Sequence, residues 1–117
     1  MIVFHIVPAQ EWEAAMGAGT YRPASLAAEG FIHFSYAEQV AATANRYYRD
    51  RDNLVVVAVD LTGVPGEVKV EPSPATGEMF PHLYDALPTS HALAVYPLRR
   101  NDGGDYVFSP DASAGSA

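Results

Sequence analysis

Three of the four histidines bear most directly on chemistry in this sequence, because each lies in an otherwise apolar stretch. His5 and His33 fall in runs of β-branched and aromatic residues, and His82 follows a phenylalanine and a proline. A desolvated imidazole titrates near neutral pH and can donate or accept a hydrogen bond, so binding and catalytic sites recruit it. A single histidine in a strand is more often structural. Three together favour a functional interpretation, and we expect them to share one pocket.

Neighbouring residues extend this set if side chains alternate along the strands. His33 and Ser35 share one face of an extended segment, and Tyr84 can face the same way as His82. A proline fixes the backbone ahead of His82, so this imidazole is expected on a stiffened loop. We expect His5 to lie on the same face as His33, with their two strands adjacent and the loop closing over them.

The elements that position these residues follow from hydrophobic periodicity and from the placement of glycine and proline. Ser35 and Glu38 match a capping box and predict the start of a helix. The run 54–59 is wholly apolar, which is typical of a central strand covered on both faces. Helices come early and the later strands lack helical crossovers, which predicts an α+β fold with a mixed, largely antiparallel sheet and two short helices. The predicted strands are 2–7, 31–34, 54–59, 67–71, 92–98 and 106–108, the helices 8–18 and 35–48, with a helical turn at 25–29 and a loop at 72–81.

Composition limits the size and the partners of the protein. The 117 residues, 49% of them apolar, predict a single domain over 1–108 with a flexible tail at 109–117. The chain has 7 basic and 14 acidic residues, a net charge of -7, which argues against non-specific nucleic-acid binding. One or two arginines can still bind a phosphate. No apolar run approaches the roughly 20 residues that span a bilayer, no signal peptide is recognisable, and cysteine is absent. We therefore expect a cytoplasmic protein without a membrane partner.

Two sequence blocks carry a resemblance to a known family. They are Gly-Phe-Ile-His-Phe-Ser at residues 30–35 and Phe-Pro-His-Leu-Tyr at residues 80–84. With these two blocks in combination, the chain resembles the family called domain of unknown function 952. The resemblance extends from the first strand to about residue 98. The family pattern usually has glycine after the tyrosine of the second block, where this chain has Asp85. The other matching residues are His5, Trp12, Ser25, Leu26, Glu29, Gln39, Asn45, Tyr48, Asp60 and Glu71.

The resemblance implies an ADP-ribosyltransferase-like fold. The first block and the helix that follows it are similar to a conserved strand and helix of poly-ADP-ribosyltransferases. By that likeness His5 would contact the ribose of NAD and His33 would form a stacking or polar wall. Glu71 or His82 would take the third position. The RNA 2′-phosphotransferase branch is a further likeness, but its basic substrate-binding residues are poorly represented in this acidic chain.

Three hypotheses follow. The first is an enzyme that acts on NAD or a related nucleotide, by ADP-ribosyl or phosphoribosyl transfer. The second is a non-catalytic domain that binds a small molecule on the same fold. The third is a three-histidine metal site, which the wide spacing of the histidines makes the weakest, so no metal cofactor is expected. Under the first, the catalytic residues are His33, His82 and Glu71, and the ligand-binding residues are His5, Arg22, Ser35 and Tyr84.

Overall fold

The fold is α+β, with short helices and antiparallel strands. A computed structural model of the protein describes residues 1–110 and 115–116. The helices are α1 (Ala9–Ala18), α2 (Ala24–Glu29) and α3 (Val40–Tyr47), with 3-10 turns at Ala37–Gln39 and Thr89–His91. The strands are β1 (Ile2–Pro8), β2 (Thr20–Tyr21), β3 (Ile32–His33), β4 (Leu54–Asp60), β5 (Val68–Pro72), β6 (Met79–Leu83), β7 (Leu87–Pro88), β8 (Ala92–Pro97), β9 (Arg99–Arg100), β10 (Tyr106–Val107) and β11 (Gly115–Ser116).

The main sheet has the order β1-β4-β8-β11, and each neighbouring pair is antiparallel. β1 and β4 pair along their whole length, from Ile2 opposite Asp60 to Pro8 opposite Leu54. Both faces of these strands are covered, as the apolar sequence of β4 predicts. The face that packs against α1 buries Val3, Val7, Val57 and Val59 with Trp12. The face that packs against α3 buries Phe4, Ile6, Val56 and Ala58 with Val40 and Ala44.

A second sheet, the outer sheet, has the order β3-β6-β5 and continues the main sheet beyond β1. The link is a bridge between Phe4 of β1 and Ser35, in which the main-chain N–H of each residue donates to the carbonyl of the other at 2.8 Å. Ile32, Phe34 and Leu83 belong to the core on the α1 side. The alternate residues of β3 and β6 are therefore left on the α3 side of the sheet.

The predicted loop at 72–81 is wrong at both ends, because β5 extends to Pro72 and β6 begins at Met79. The prolines in this segment argued against a strand. Pro81 nevertheless takes part in the outer sheet through its carbonyl, which accepts the main-chain N–H of Phe34 at 3.0 Å. The connection between β5 and β6 is accordingly a short hairpin turn, and His82 lies on a strand.

The second predicted helix begins later than the sequence indicated. Ser35 is held in the bridge to β1 and does not cap the helix. Instead the side-chain carbonyl of Gln39 accepts the main-chain N–H of Tyr36 at 2.9 Å, one residue further along. The predicted helical turn at 25–29 is confirmed as α2, which ends at Gly30 in the left-handed conformation, φ 89°.

The carboxyl-terminal segment reaches the main sheet at β11, which pairs antiparallel with β8. Residues 111–114 and 117 of the predicted flexible tail lie outside the residues that the structure describes. In the described part of the chain, no helix combines the length and the apolar character needed to cross a membrane.

Candidate functional site

The bridge between Phe4 and Ser35 decides which histidines share a face. Residues directly opposite one another in an antiparallel pair point to the same side, so Phe4, Ser35 and hence His33 lie on the α3 side. His5 follows Phe4 and points to the α1 side. The expectation that the three histidines share one pocket is therefore wrong. Side-chain alternation does not give the register between strands, and a slip of one residue exchanges the faces.

His5 is held on the α1 side by two hydrogen bonds. Its Nδ1 donates to the main-chain carbonyl of His33 at 2.6 Å, because a carbonyl can only accept. Its Nε2 consequently accepts the hydroxyl proton of Tyr21, also at 2.6 Å. Burial lowers the pKa of His5 to about 4, and burial likewise raises the pKa of Tyr21. His5 is thus a neutral residue that fixes the main chain at His33, and both of its ring nitrogens are occupied by the protein.

This arrangement predicts a loss of stability in mild acid. The unfolded chain binds a proton at His5 near the ordinary histidine pKa of 6.5 while the folded chain does not, so the free energy of unfolding falls as the pH drops below 6.5. Linkage gives a loss of about 2 kcal/mol between pH 7 and pH 5. Denaturant melts at the two pH values measure it. The variant His5→Gln should lose much less, whereas His91→Gln, which removes an imidazole bonded to the carbonyl of Asp60, should keep the loss. Equal losses in wild type and His5→Gln would contradict the assignment.

The α3 side of the outer sheet gathers the other candidates into one cluster, which we call the histidine face. His33 and His82 are directly paired across β3 and β6, and their rings lie 5.3 Å apart between centroids. The ring of Phe31 stacks on that of His82 at 4.1 Å and 23°, and covers it so that His82 is only 8% exposed. The histidine face consists of Glu29, Phe31, His33, Glu71, His82 and Tyr84.

Glu71 links two of these side chains. Its Oε1 accepts a hydrogen bond from Nδ1 of His82 at 2.9 Å and another from the hydroxyl of Tyr84. The bond from Tyr84, followed by that from His82, holds the pKa of Glu71 below its usual value, and the same carboxylate raises the pKa of Tyr84 to about 12. Glu71 therefore remains an acceptor that keeps the proton of His82 on Nδ1 when the ring is neutral.

The opposite nitrogen of His82 has no hydrogen-bond partner among the described residues and is not fully buried. Every buried side-chain nitrogen or oxygen in the described residues has a hydrogen-bond partner. Nε2 of His82 has none, so it must reach the surface. In the neutral ring this nitrogen is unprotonated, which is the state that a general base requires.

His33 forms the second histidine–carboxylate pair of the face. Its Nε2 contacts the carboxylate of Glu29, the last residue of α2, four positions earlier in the chain. The left-handed Gly30 between them turns the chain from the helix into β3 and brings the two side chains together. The His33 side chain is 53% exposed. It is therefore available to a ligand in a way that His5 is not.

The histidine face is unevenly exposed: the side chains of His33 and Glu29 are 53% and 50% exposed, whereas that of His82 is 10% exposed. One cleft lies beside the face, at Arg46 and Phe80, and another lies at Tyr96 and Phe108. The described residues hold no group of three or more His, Asp or Glu side chains arranged to bind a metal. The three-histidine metal hypothesis also required His5, whose nitrogens are both engaged.

Two of the predicted ligand-binding residues lie off the face or serve the fold. Ser35 is 5% exposed and joins the outer sheet to β1 through its main chain. Arg22 is exposed between β2 and α2, and makes no hydrogen bond or ion pair within the described residues. Asn45 is also structural, because its amide pairs with both the N–H and the carbonyl of Tyr106, at 2.7 and 3.0 Å.

Sequence reasoning did not assign a site role to Glu29 or Phe31 of the face, nor to Lys69 beside it. Phe31 gives only the signal of a hydrophobic strand residue, yet its ring lies against three neighbours, His33, His82 and Tyr84. Lys69 places its ammonium group 4.8 Å from the centroid of the Tyr84 ring. The alternation of β5 could have placed Lys69 beside Glu71, since residues two apart share a face.

Sequence and structure together place the chain in a family. It belongs to the family described as "Protein of unknown function (DUF952)", whose model matches residues 6–95. Among solved structures it is similar to protein CC0527 from Caulobacter crescentus. The crystal structure of CC0527 shares 33% identity with a TM-score of 0.80, over 92% of this chain and 94% of that one. The solution NMR structure shares 34% identity with a TM-score of 0.76, over 89% and 90%. No curated protein matches the chain.

Proposed function

We propose that the histidine face is the acid–base site of an enzyme acting on NAD or a related nucleotide. One observation carries this proposal: Glu71 bonds Nδ1 of His82 at 2.9 Å, and Nε2, beside the exposed ring of His33, has no partner in the part of the chain that the structure describes. A carboxylate that orients an imidazole, with the distal nitrogen directed to a reacting group, is a recurrent arrangement in acid–base catalysis.

The two imidazoles divide the chemistry between them. His82, held by Glu71, takes a proton from the attacking group through Nε2. His33 is paired with Glu29. In its protonated form, His33 gives a proton to the leaving group. The ring centroids are 5.3 Å apart, so both imidazoles can reach atoms on either side of a single bond. This assignment balances protons, since one imidazole gains the proton that the other loses.

The choice of a nucleotide rests on the aromatic character of the face and on resemblance. Phe31, His33 and Tyr84 offer flat rings at a partly exposed surface, against which a base or a nicotinamide ring can stack. The likeness of the two sequence blocks to ADP-ribosyltransferase-like proteins supports NAD as the first ligand to test. His5 is not part of this proposal, because its nitrogens are bonded to Tyr21 and to the His33 carbonyl.

A second candidate is a non-catalytic binding domain. The exposure of His33 and Glu29 favours it, because transfer chemistry usually requires a site that excludes water. In that case the same side chains bind a small molecule without turning it over. The two candidates agree on the residues and differ only in turnover.

A ligand panel tests the proposal. NAD, ADP-ribose, AMP and adenosine are added singly to 15N-labelled protein, and thermal shift and amide chemical-shift changes are recorded. We expect stabilisation that follows ligand concentration and amide shifts centred on residues 31–33 and 82–84. The matched variants are Phe31→Leu, which removes the ring but keeps apolar volume, and Leu93→Ala, an exposed residue of β8. Shifts that persist in Phe31→Leu and centre elsewhere would contradict the site.

A further inference from the structure

A small cleft lies beside the histidine face, between α3 and the β5–β6 hairpin. Its volume is about 80 Å³, well below the roughly 300–1,000 Å³ of pockets that hold a whole small-molecule ligand. It can therefore hold one chemical group of a ligand whose remainder lies outside. Tyr47 and Phe80 provide its aromatic walls.

The cleft carries an unpaired positive charge. Arg46 borders it, and within the described residues its guanidinium makes no hydrogen bond or ion pair, only a contact with the Tyr47 ring at 5.8 Å. Two other arginines of this region are paired, Arg49 with Asp105 and Arg100 with Asp52. In a chain of net charge -7, an unpaired guanidinium at a concave surface is well suited to an anion.

Three hydroxyl groups on the cleft wall are also disposed to donate. The Ser73 hydroxyl oxygen accepts the N–H of Ala75 at 3.3 Å, and that of Thr76 accepts the N–H of Glu78 at 3.2 Å. Because main-chain donors occupy these oxygens, the hydroxyl protons are free to be donated outward. Thr43 of α3 makes no side-chain hydrogen bond within the described residues, so its proton is free as well.

One carboxylate borders the cleft, and it does not cancel this preference. Glu78 is exposed, as Arg46 is, and the two side chains form no ion pair within the described residues, so the guanidinium stays available to a ligand. One guanidinium and three hydroxyl donors together match the acceptor oxygens of a phosphate group.

The cleft and the histidine face share a strand. Glu71 lies directly opposite Phe80, and its bonds to His82 and Tyr84 place all four side chains on the same side of the outer sheet. Phe80 lines the cleft and precedes His82 by two residues, a separation of about 7 Å along a strand. The main-chain carbonyl of Met79 accepts a hydrogen bond from the Gln39 side chain at 3.0 Å, which ties β6 to the start of α3.

We propose that this cleft is the phosphate subsite of the ligand on which the histidine face acts. The substrate class is then a small phosphorylated compound whose phosphate occupies the cleft while its reacting bond lies at His82, two residues along β6 from Phe80. Arg46 then contacts the phosphate, and Arg22 of the predicted ligand-binding residues does not. The substrate assignment rests on the proposed function, whereas binding of phosphate by the cleft does not.

The test uses inorganic phosphate as the probe. Phosphate is titrated into 15N-labelled protein at constant ionic strength, with chloride as the reference anion. We expect saturable amide shifts at residues 43–47 and 73–78. Arg46→Gln removes a charged donor and should weaken phosphate binding about tenfold or more. Thr43→Val removes a neutral donor and should weaken phosphate binding less. Arg99→Gln, which removes another exposed arginine without an ion pair among the described residues, should leave binding unchanged.

Two results would overturn the subsite: shifts that do not saturate or that chloride reproduces, and an equal loss in Arg46→Gln and Arg99→Gln. His82→Asn separates this proposal from the preceding one, because it should leave phosphate binding intact. Phosphate could bind at the cleft while Arg46→Gln weakens the binding of AMP no more than that of adenosine. In that case the cleft is not part of the substrate site. If AMP loses its advantage over adenosine in that variant, the subsite is supported even where no turnover is seen.

Discussion

Replacement of Phe34 by alanine is expected to lower the free energy of unfolding by about 3–5 kcal/mol, the usual cost of truncating a buried aromatic residue. Phe34 is 2% exposed and lies in the core on the α1 side, with its ring 5.5 Å from that of His5. Its main-chain N–H also joins β3 to β6. Loss of the ring leaves a cavity at the point where the two sheets meet. Denaturant melts at pH 7, outside the range in which His5 titrates, measure the change.

Phe31→Ala is the matched control, because it removes the same ring from the opposite side of β3. Phe31 is partly exposed and packs on the rings of His82 and Tyr84. We expect a loss of about 1–2 kcal/mol, since an aromatic pair contributes about 0.5–1.5 kcal/mol beyond its buried area. An equal loss in the two variants would mean that Phe31 belongs to a second core, and that the histidine face is not free to bind a ligand.

The sequence predicts the elements well where the pattern is local. β4 is wholly apolar up to its last residue, and its burial on both faces follows from that composition alone. α2 ends at Gly30, and β1 spans the predicted run with one residue more. Short strands such as β2 and β7 were not predicted, because two residues carry no periodicity.

The candidate site was predicted in part, and the largest error, the placement of His5, is an error of register. Alternation correctly separates His33 from Phe34, since the ring of Phe34 is buried while that of His33 is exposed. Whether His5 joins His33 depends on the bridge between Phe4 and Ser35, a contact between residues 31 positions apart. No local pattern encodes that contact. Arg46 gives no signal either, since a basic residue on a helix is typical of a solvated surface.

The roles of His82 and Glu71 can be separated by substitution. On whichever panel ligand is turned over, His82→Asn is expected to lower kcat by about 10²–10⁴-fold, the usual contribution of a general acid or base. The asparagine amide can still donate to Glu71 from the position of Nδ1, but it has no group at the position of Nε2. The fold and the carboxylate contact should therefore survive while the proton acceptor is lost. Binding measured by amide shifts should change little.

Tyr84→Phe supplies a readout that a purely structural role would not affect. The hydroxyl of Tyr84 is the largest cause of the lowered pKa of Glu71, so its removal should raise that pKa. A Glu71 carboxylate freed from Tyr84 interacts more strongly with the charged, inactive form of the His82 imidazole, so the acidic limb of the pH–rate profile should move to higher pH. A full rate in His82→Asn would eliminate the acid–base proposal and leave the binding domain as the function. A reduced rate with an unmoved acidic limb in Tyr84→Phe would retain His82 as the base but remove Glu71 from its positioning role.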